Sequence, residues 1–139
     1  MDINKFKEYL LEQGYRPTLD EDGDLVFRNE GKYFFISIDS DDDKFIRLVA
    51  PNIWEIESEH ELQQAFIQAN RATCSLKSAK VFVLKNQKNV WATIEMFVPD
   101  EQAFIAVFPR CLEVVARAVS RFQADMRSAT TADAEETLN

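Results

Sequence analysis

The sequence predicts an α+β fold in the order α-β-β-β-α-β-β-α, with a five-stranded, mainly antiparallel sheet packed with three helices. Three observations carry this. Apolar residues recur at helical spacing in three segments, and β-rich runs are joined by short polar turns. Only three glycines and four prolines punctuate the 139 residues, too few for a loop-rich or repeat protein.

In the first segment Ile3, Phe6, Tyr9, Leu10 and Gln13 share one helical face. Gly14 suits a left-handed helix stop, and Pro17 confirms that the helix has ended. "DLVFRNEGKYFFISID" then reads as two strands joined at "NEGK", with Gly31 at a positive-φ position. "SDDDK" turns the chain into a third strand, "FIRLVAP", which should stop at Pro51. "SEHELQQAFIQANRAT" opens with a capping box, Ser58 capping and Glu61 reaching back. Its buried stripe is expected at Leu62, Ala65, Phe66, Ala69 and Thr73. "AKVFVLK" and "VWATIEMFV" form two strands about the "NQKN" turn. Asp100 caps a final helix with Phe104, Phe108, Cys111, Leu112, Val115, Val119, Phe122 and Met126 on one face. Pro109 lies inside it, where a kink is expected. The packed domain is predicted over residues 1–127. "RSATTADAEETLN" offers almost nothing to bury, so residues 128–139 are expected to form a disordered acidic tail.

Composition narrows the function classes. A net charge of −8 disfavours nucleic acid and anionic membrane surfaces, which are held by clustered Lys and Arg. No apolar run approaches the ~18 residues of a membrane span, and the first residues lack a signal core. A cytoplasmic location is the expectation. Cys74 and Cys111 are too few for a disulfide scaffold or a zinc site, and they read as free thiols.

"TLDEDGDLVF" resembles a calcium loop, but a register with Gly23 at position six puts Thr18 at position one and Asn29 at position twelve. Both positions need carboxylates, so the EF-hand reading fails. The segment is read as a turn in which Asp residues bond their own backbone. A weaker cation reading pairs "DEDGD" with "DSDDD" at one end of the first hairpin. Catalysis finds little support. His60 and Cys74, fourteen residues apart on one helix, stand about 21 Å apart. Cys111 falls on an apolar face, and Glu55, Glu57, Glu59 and Glu61 are ordinary for an acidic chain. No P-loop, dinucleotide fingerprint, nucleophile elbow or metal-ligand spacing occurs. The chain is expected to be no enzyme and to need no cofactor.

The faces of the strands say more. Phe34, Ile36, Ile38, Ile46, Leu48, Ala92, Ile94 and Met96 point one way. Tyr33, Phe35, Phe45, Val49, Trp91 and Phe97 point the other way. A sheet with one wet face should alternate apolar with polar. Five strands make a sheet about 24 Å wide, which three helices of about 10 Å each can cover on one side only. Tyr33, Phe35, Phe45, Trp91 and Phe97 are then a candidate protein-binding face. If the helices divide between the faces, these residues are ordinary core.

"LEQGYRP", "DEDGDLVF", "PNIW", "AKV" and "IEMF", spread over residues 11–97, resemble the YbjN family of bacterial sensory transduction regulators, whose fold is similar to class I chaperones of type III secretion. The resemblance implies a helix-flanked antiparallel sheet that often dimerises and holds a partner segment against apolar patches. It carries over no catalytic residue, and it gives Trp54 a structural role at the crossover into the second helix. The expected function is a chaperone-like or regulatory module that captures a protein segment, with a homodimer as its form. The alternative is a small-molecule or divalent-cation sensor using the acidic hairpin end or a pocket between sheet and helix.

Overall fold

A computed structural model describes residues 1–138, with side chains described as far as Thr131. Helix α1 (Ile3–Glu12) precedes strands β1 (Thr18–Leu19), β2 (Leu25–Asn29), β3 (Lys32–Ile38) and β4 (Phe45–Glu55). Helix α2 (Glu59–Ser75), strands β5 (Lys80–Val83) and β6 (Asn89–Phe97) and helix α3 (Glu101–Leu138) complete the chain. All strand pairs are antiparallel, in the order β1-β2-β3-β4-β6-β5.

The sheet has six strands where the sequence predicts five. The extra one, β1, is two residues long and pairs Thr18 with Val26 and Leu19 with Leu25. A two-residue strand carries no periodicity, so its pattern is silent. "DEDGD" is therefore the turn of the β1–β2 hairpin, as read from its aspartates. Asp20 accepts from the backbone N–H groups of Asp22 and Asp24, both at 2.9 Å.

The local signals act as expected at most boundaries. Gly14, at φ 93°, lets Tyr15 N–H reach Leu10 O at 2.9 Å and Gly14 N–H reach Leu11 O at 3.0 Å. That is a Schellman stop. The β2–β3 hairpin turns on Glu30 (φ 52°) and Gly31 (φ 79°), the two positive angles of a type I′ turn. Ser58 caps α2 by accepting from Glu61 N–H at 3.0 Å. The Glu61 carboxylate accepts the indole N–H of Trp54, tying the end of β4 to the helix it precedes. Asp100 caps α3 through Ala103 N–H at 2.9 Å.

Two further expectations are corrected. β4 does not stop at Pro51. It runs to Glu55 through a bulge between Ala50 and Trp54, where a missing N–H is tolerated. Phe66 is not in the buried stripe of α2. It is 49% exposed, and Leu62, Ala65, Gln68, Ala69 and Ala72 face inward. Helix α3 runs through Pro109 without a restart and passes Met126, its backbone helical to Leu138. "ATTADAEETL" is rich in helix formers, and the Thr130 and Thr131 hydroxyls bond back to Met126 O and Arg127 O at 2.8 and 2.9 Å. Most of the tail expected over 128–139 lies outside the residues whose side chains are described.

One core joins every element except β1, whose two residues are exposed. Phe34, Ile36, Ile46, Leu48, Ala92 and Ile94 on one sheet face pack with Phe6 and Leu10 of α1, Ala65 and Ala72 of α2, and Phe104 to Met126 of α3. Phe104 makes edge contact with Phe6 (5.4 Å between ring centres), and Phe108 does so with Tyr9 (5.6 Å). Trp54 meets Phe122 edge-on at 6.4 Å, a structural role as expected. All three helices thus take the same side of the sheet.

Candidate functional site

The other side of the sheet carries no helix, and its side chains follow from the register. Phe35 lies opposite Val49, Val49 opposite Thr93, and Thr93 opposite Lys80. One step along, Trp91 lies opposite Phe82, and at the far end Phe45 lies opposite Phe97. The rings gather in two groups. Phe35 meets Trp91 edge-on at 5.7 Å, and Phe82 stands 6.5 Å from the same indole. Phe45 and Phe97 form a separate pair at 5.3 Å, with Phe97 74% exposed. Tyr33, 52% exposed, sits at the β2–β3 turn under the Arg28 guanidinium, 4.3 Å from its ring centre.

Of the five residues singled out from sequence, Phe35 and Trp91 are in contact, Phe45 and Phe97 are in contact, and Tyr33 stands apart. Phe82 was missed, although "KVFV" alternates and its place opposite Trp91 follows once β5 and β6 pair. The face is also more polar than expected. Ser37, Arg47 and Glu95 form a row between the ring groups, and Lys80 pairs with Glu95 at 2.5 Å. The Thr93 hydroxyl donates to the same carboxylate at 3.1 Å. Trp91 donates its indole N–H to Asn52 Oδ1 at 3.2 Å, so the β4 bulge fixes the ring plane. An open cleft of about 620 Å³ lies between Trp91, Phe82, Leu84 and Arg47. Half-exposed rings beside a paired charge row can hold a chain that offers apolar and polar groups in alternation.

Asp20, Asp22 and Asp24 bring carboxylate oxygens within 4.8 Å of one another. Two of the three are solvent-exposed, and Asp20 already spends one oxygen on the turn. Burial holds the Asp24 carboxyl above the ordinary carboxylate value. Asp20 and Asp22 push it the same way, against the Ser37 hydroxyl and Arg47. A carboxyl raised on folding favours the folded state only where it is protonated, and that contribution is lost as pH rises through its folded value. Asp24→Asn is therefore expected to stabilise the fold at pH 7, by less than about 1 kcal/mol for so solvent-screened a group, and to raise the melting temperature accordingly. The gain should shrink as pH falls through the folded value and vanish below the ordinary carboxylate value, which thermal melts at pH 7 and pH 3 would check.

His60 lies in the first turn of α2 and exposed Cys74 in its last, while Cys111 is buried on α3 with its thiol pushed up by that burial. Among the described residues no helix is long and apolar enough to cross a membrane.

A helix-backed antiparallel sheet in this order is the fold of type III secretion chaperones. A chain of the HopA1–SchA chaperone–effector complex superposes with TM-score 0.62 at 9% identity, covering 89% of this chain and 98% of that one. YbjN from E. coli superposes with TM-score 0.63 at 14% identity, covering 96% and 94%. An uncharacterized protein from Methanothermobacter thermautotrophicus gives TM-score 0.61 at 15% identity, covering 91% and 96%. Residues 7–134 match the profile of TY-Chap1, the T3SS (YopN, CesT) and YbjN peptide-binding chaperone 1 family, and the chain belongs to that family. No curated protein matches.

Proposed function

We propose that this chain is a non-enzymatic, cytoplasmic chaperone-like module that captures an extended segment of another protein on the outer face of its sheet. The observation that carries this is the placement of all three helices on one side, which leaves Phe35, Phe82 and Trp91 half-exposed in a single cluster. Tyr33, Phe45 and Phe97 extend that surface to both ends of the strands. Membership of a peptide-binding family supports the reading, and the net charge of −8 weighs against nucleic acid and membrane as partners. Cross-linking in the native cytoplasm followed by mass spectrometry tests it. Partner cross-links should fall on β3, β5 and β6, and cross-links confined to the helices would overturn it.

The working form is a homodimer joined through α2. Phe66 and Ile67, consecutive in the chain, are 49% and 45% exposed there. Light scattering of the wild type is expected to give twice the chain mass, and Phe66→Glu should halve it without loss of helical signal. A wild type that is already monomeric would remove the dimer.

A further inference from the structure

The sheet also has an unguarded edge. β5 pairs with β6 only as far as Lys80 opposite Thr93, because the chain before it turns away at Ser78 (φ 61°). β4 follows β6 to the end, Phe45 opposite Phe97. From Ile94 to Phe97, then, β6 pairs with a strand on one side only among the described residues, which leaves the other side as an edge that an incoming strand could join. Phe97, the most exposed of the large apolar side chains, stands at this edge.

Behind the edge lies a cleft of about 300 Å³ between β6 and α3. Ile94 and Met96 form one wall, and Val107, Cys111 and Val114 form the other. That volume is at the lower end for a small-ligand pocket, enough for one or two apolar side chains. Its rim is basic. Lys77 and Arg110 both line it and the adjoining cleft, and neither has an ion-pair partner among the described residues. Arg117 next door is already held by Glu113 at 3.0 Å.

We infer that a partner segment adds a strand to β6 at 94–97, sinks an apolar side chain between Met96 and Val107, and sets flanking carboxylates against Lys77 and Arg110. The inference rests on the segment-capture reading above and names the chemistry of the segment: extended, apolar at its centre and acidic at its flanks. Charge selects this occupant over a second copy of the chain. A two-fold interface centred on the cleft would press Lys77 and Arg110 against their own images. The sequence hides the site because its parts are the early end of β5, the turn at Ser78 and alternate residues of α3.

A fluorescein-labelled Glu-Glu-Val-Leu-Val-Glu-Glu peptide, titrated into the full chain and read by anisotropy, tests this. Saturable binding is expected, with amide shifts at Ile94 to Phe97. The Lys77→Glu, Arg110→Glu double variant should bind about tenfold more weakly or worse, and so should a peptide with lysines for its glutamates on the wild type. Both substituted side chains are exposed, so folding is not at stake. Absence of binding, equal binding of the two peptides, or full binding by the charge-reversed variant would overturn the edge site. Loss of binding in Phe35→Lys, Trp91→Lys with none in the charge-reversed variant would put the peptide on the outer face. That outcome overturns the edge site and leaves the broader reading standing.

Discussion

Phe104→Ala is expected to cost about 3–5 kcal/mol of stability, the range for emptying a fully buried aromatic site. Phe104 is fully buried, and it joins α1 to α3 by meeting Phe6 and Phe108 at 5.4 and 6.0 Å. Neighbouring rings cannot relax into the space without leaving their own contacts, so a cavity should persist. A domain of this size has only about 5–15 kcal/mol in hand, so the variant should be marginal at 37 °C. Urea unfolding measures the loss as a lower midpoint at unchanged slope. Phe97→Ala is the control. Its ring is 74% exposed, so the same truncation should cost no more than about 0.5 kcal/mol. Equal losses at the two positions would mean that Phe97 is covered in solution.

The double variant Phe35→Lys, Trp91→Lys is expected to stay folded, to keep its mass in solution, and to lose most partner cross-links. The two rings shield each other on a face with no helix above it, so each lysine can lay its stem on the sheet and lift its ammonium into water. The folding cost should be about 1–3 kcal/mol for lost ring contact and buried area. The loss of capture should be far larger, because rigid aromatic anchors dominate binding surfaces. Circular dichroism with the cross-linking pattern separates the outcomes. An unfolded double variant would make these residues core, and a folded monomer would move the dimer interface to the sheet.

Element order and strand direction were legible because long segments kept one period throughout. The α3 stripe from Phe104 to Met126 is buried as read, and the strands divide their side chains as the alternation demands. Features set by tertiary partners were not legible. Glu61 follows the capping-box pattern, yet its carboxylate accepts from an indole seven residues back. Phe66 fits the α2 stripe, but small residues there, Ala65, Ala69 and Ala72, bring the helix close to its neighbours and turn the ring out. At the candidate face, five aromatic residues were identified by alternation alone. Their grouping into a cluster, a pair and an outlier depends on register, which fixes Phe45 opposite Phe97 and supplies Phe82. Ser37, Arg47, Thr93 and Glu95 break the apolar alternation, and their place between the rings follows only from the register.

The bulge in β4 has a consequence for chain length. It sets four steps of β4, Ala50 to Trp54, against two steps of β6, Ala92 to Val90. Four minus two leaves an even surplus, so side chains leave the irregularity in the phase in which they entered. That parity lets Ala50 and Trp54 both look toward α3, where Gln123 closes the arrangement by donating to Ile53 O at 2.9 Å. One residue more or fewer here would reverse the phase and throw Trp54 onto the opposite surface, whereas a change of two could be absorbed. Insertions and deletions at this point should be accepted in even numbers and refused in odd ones.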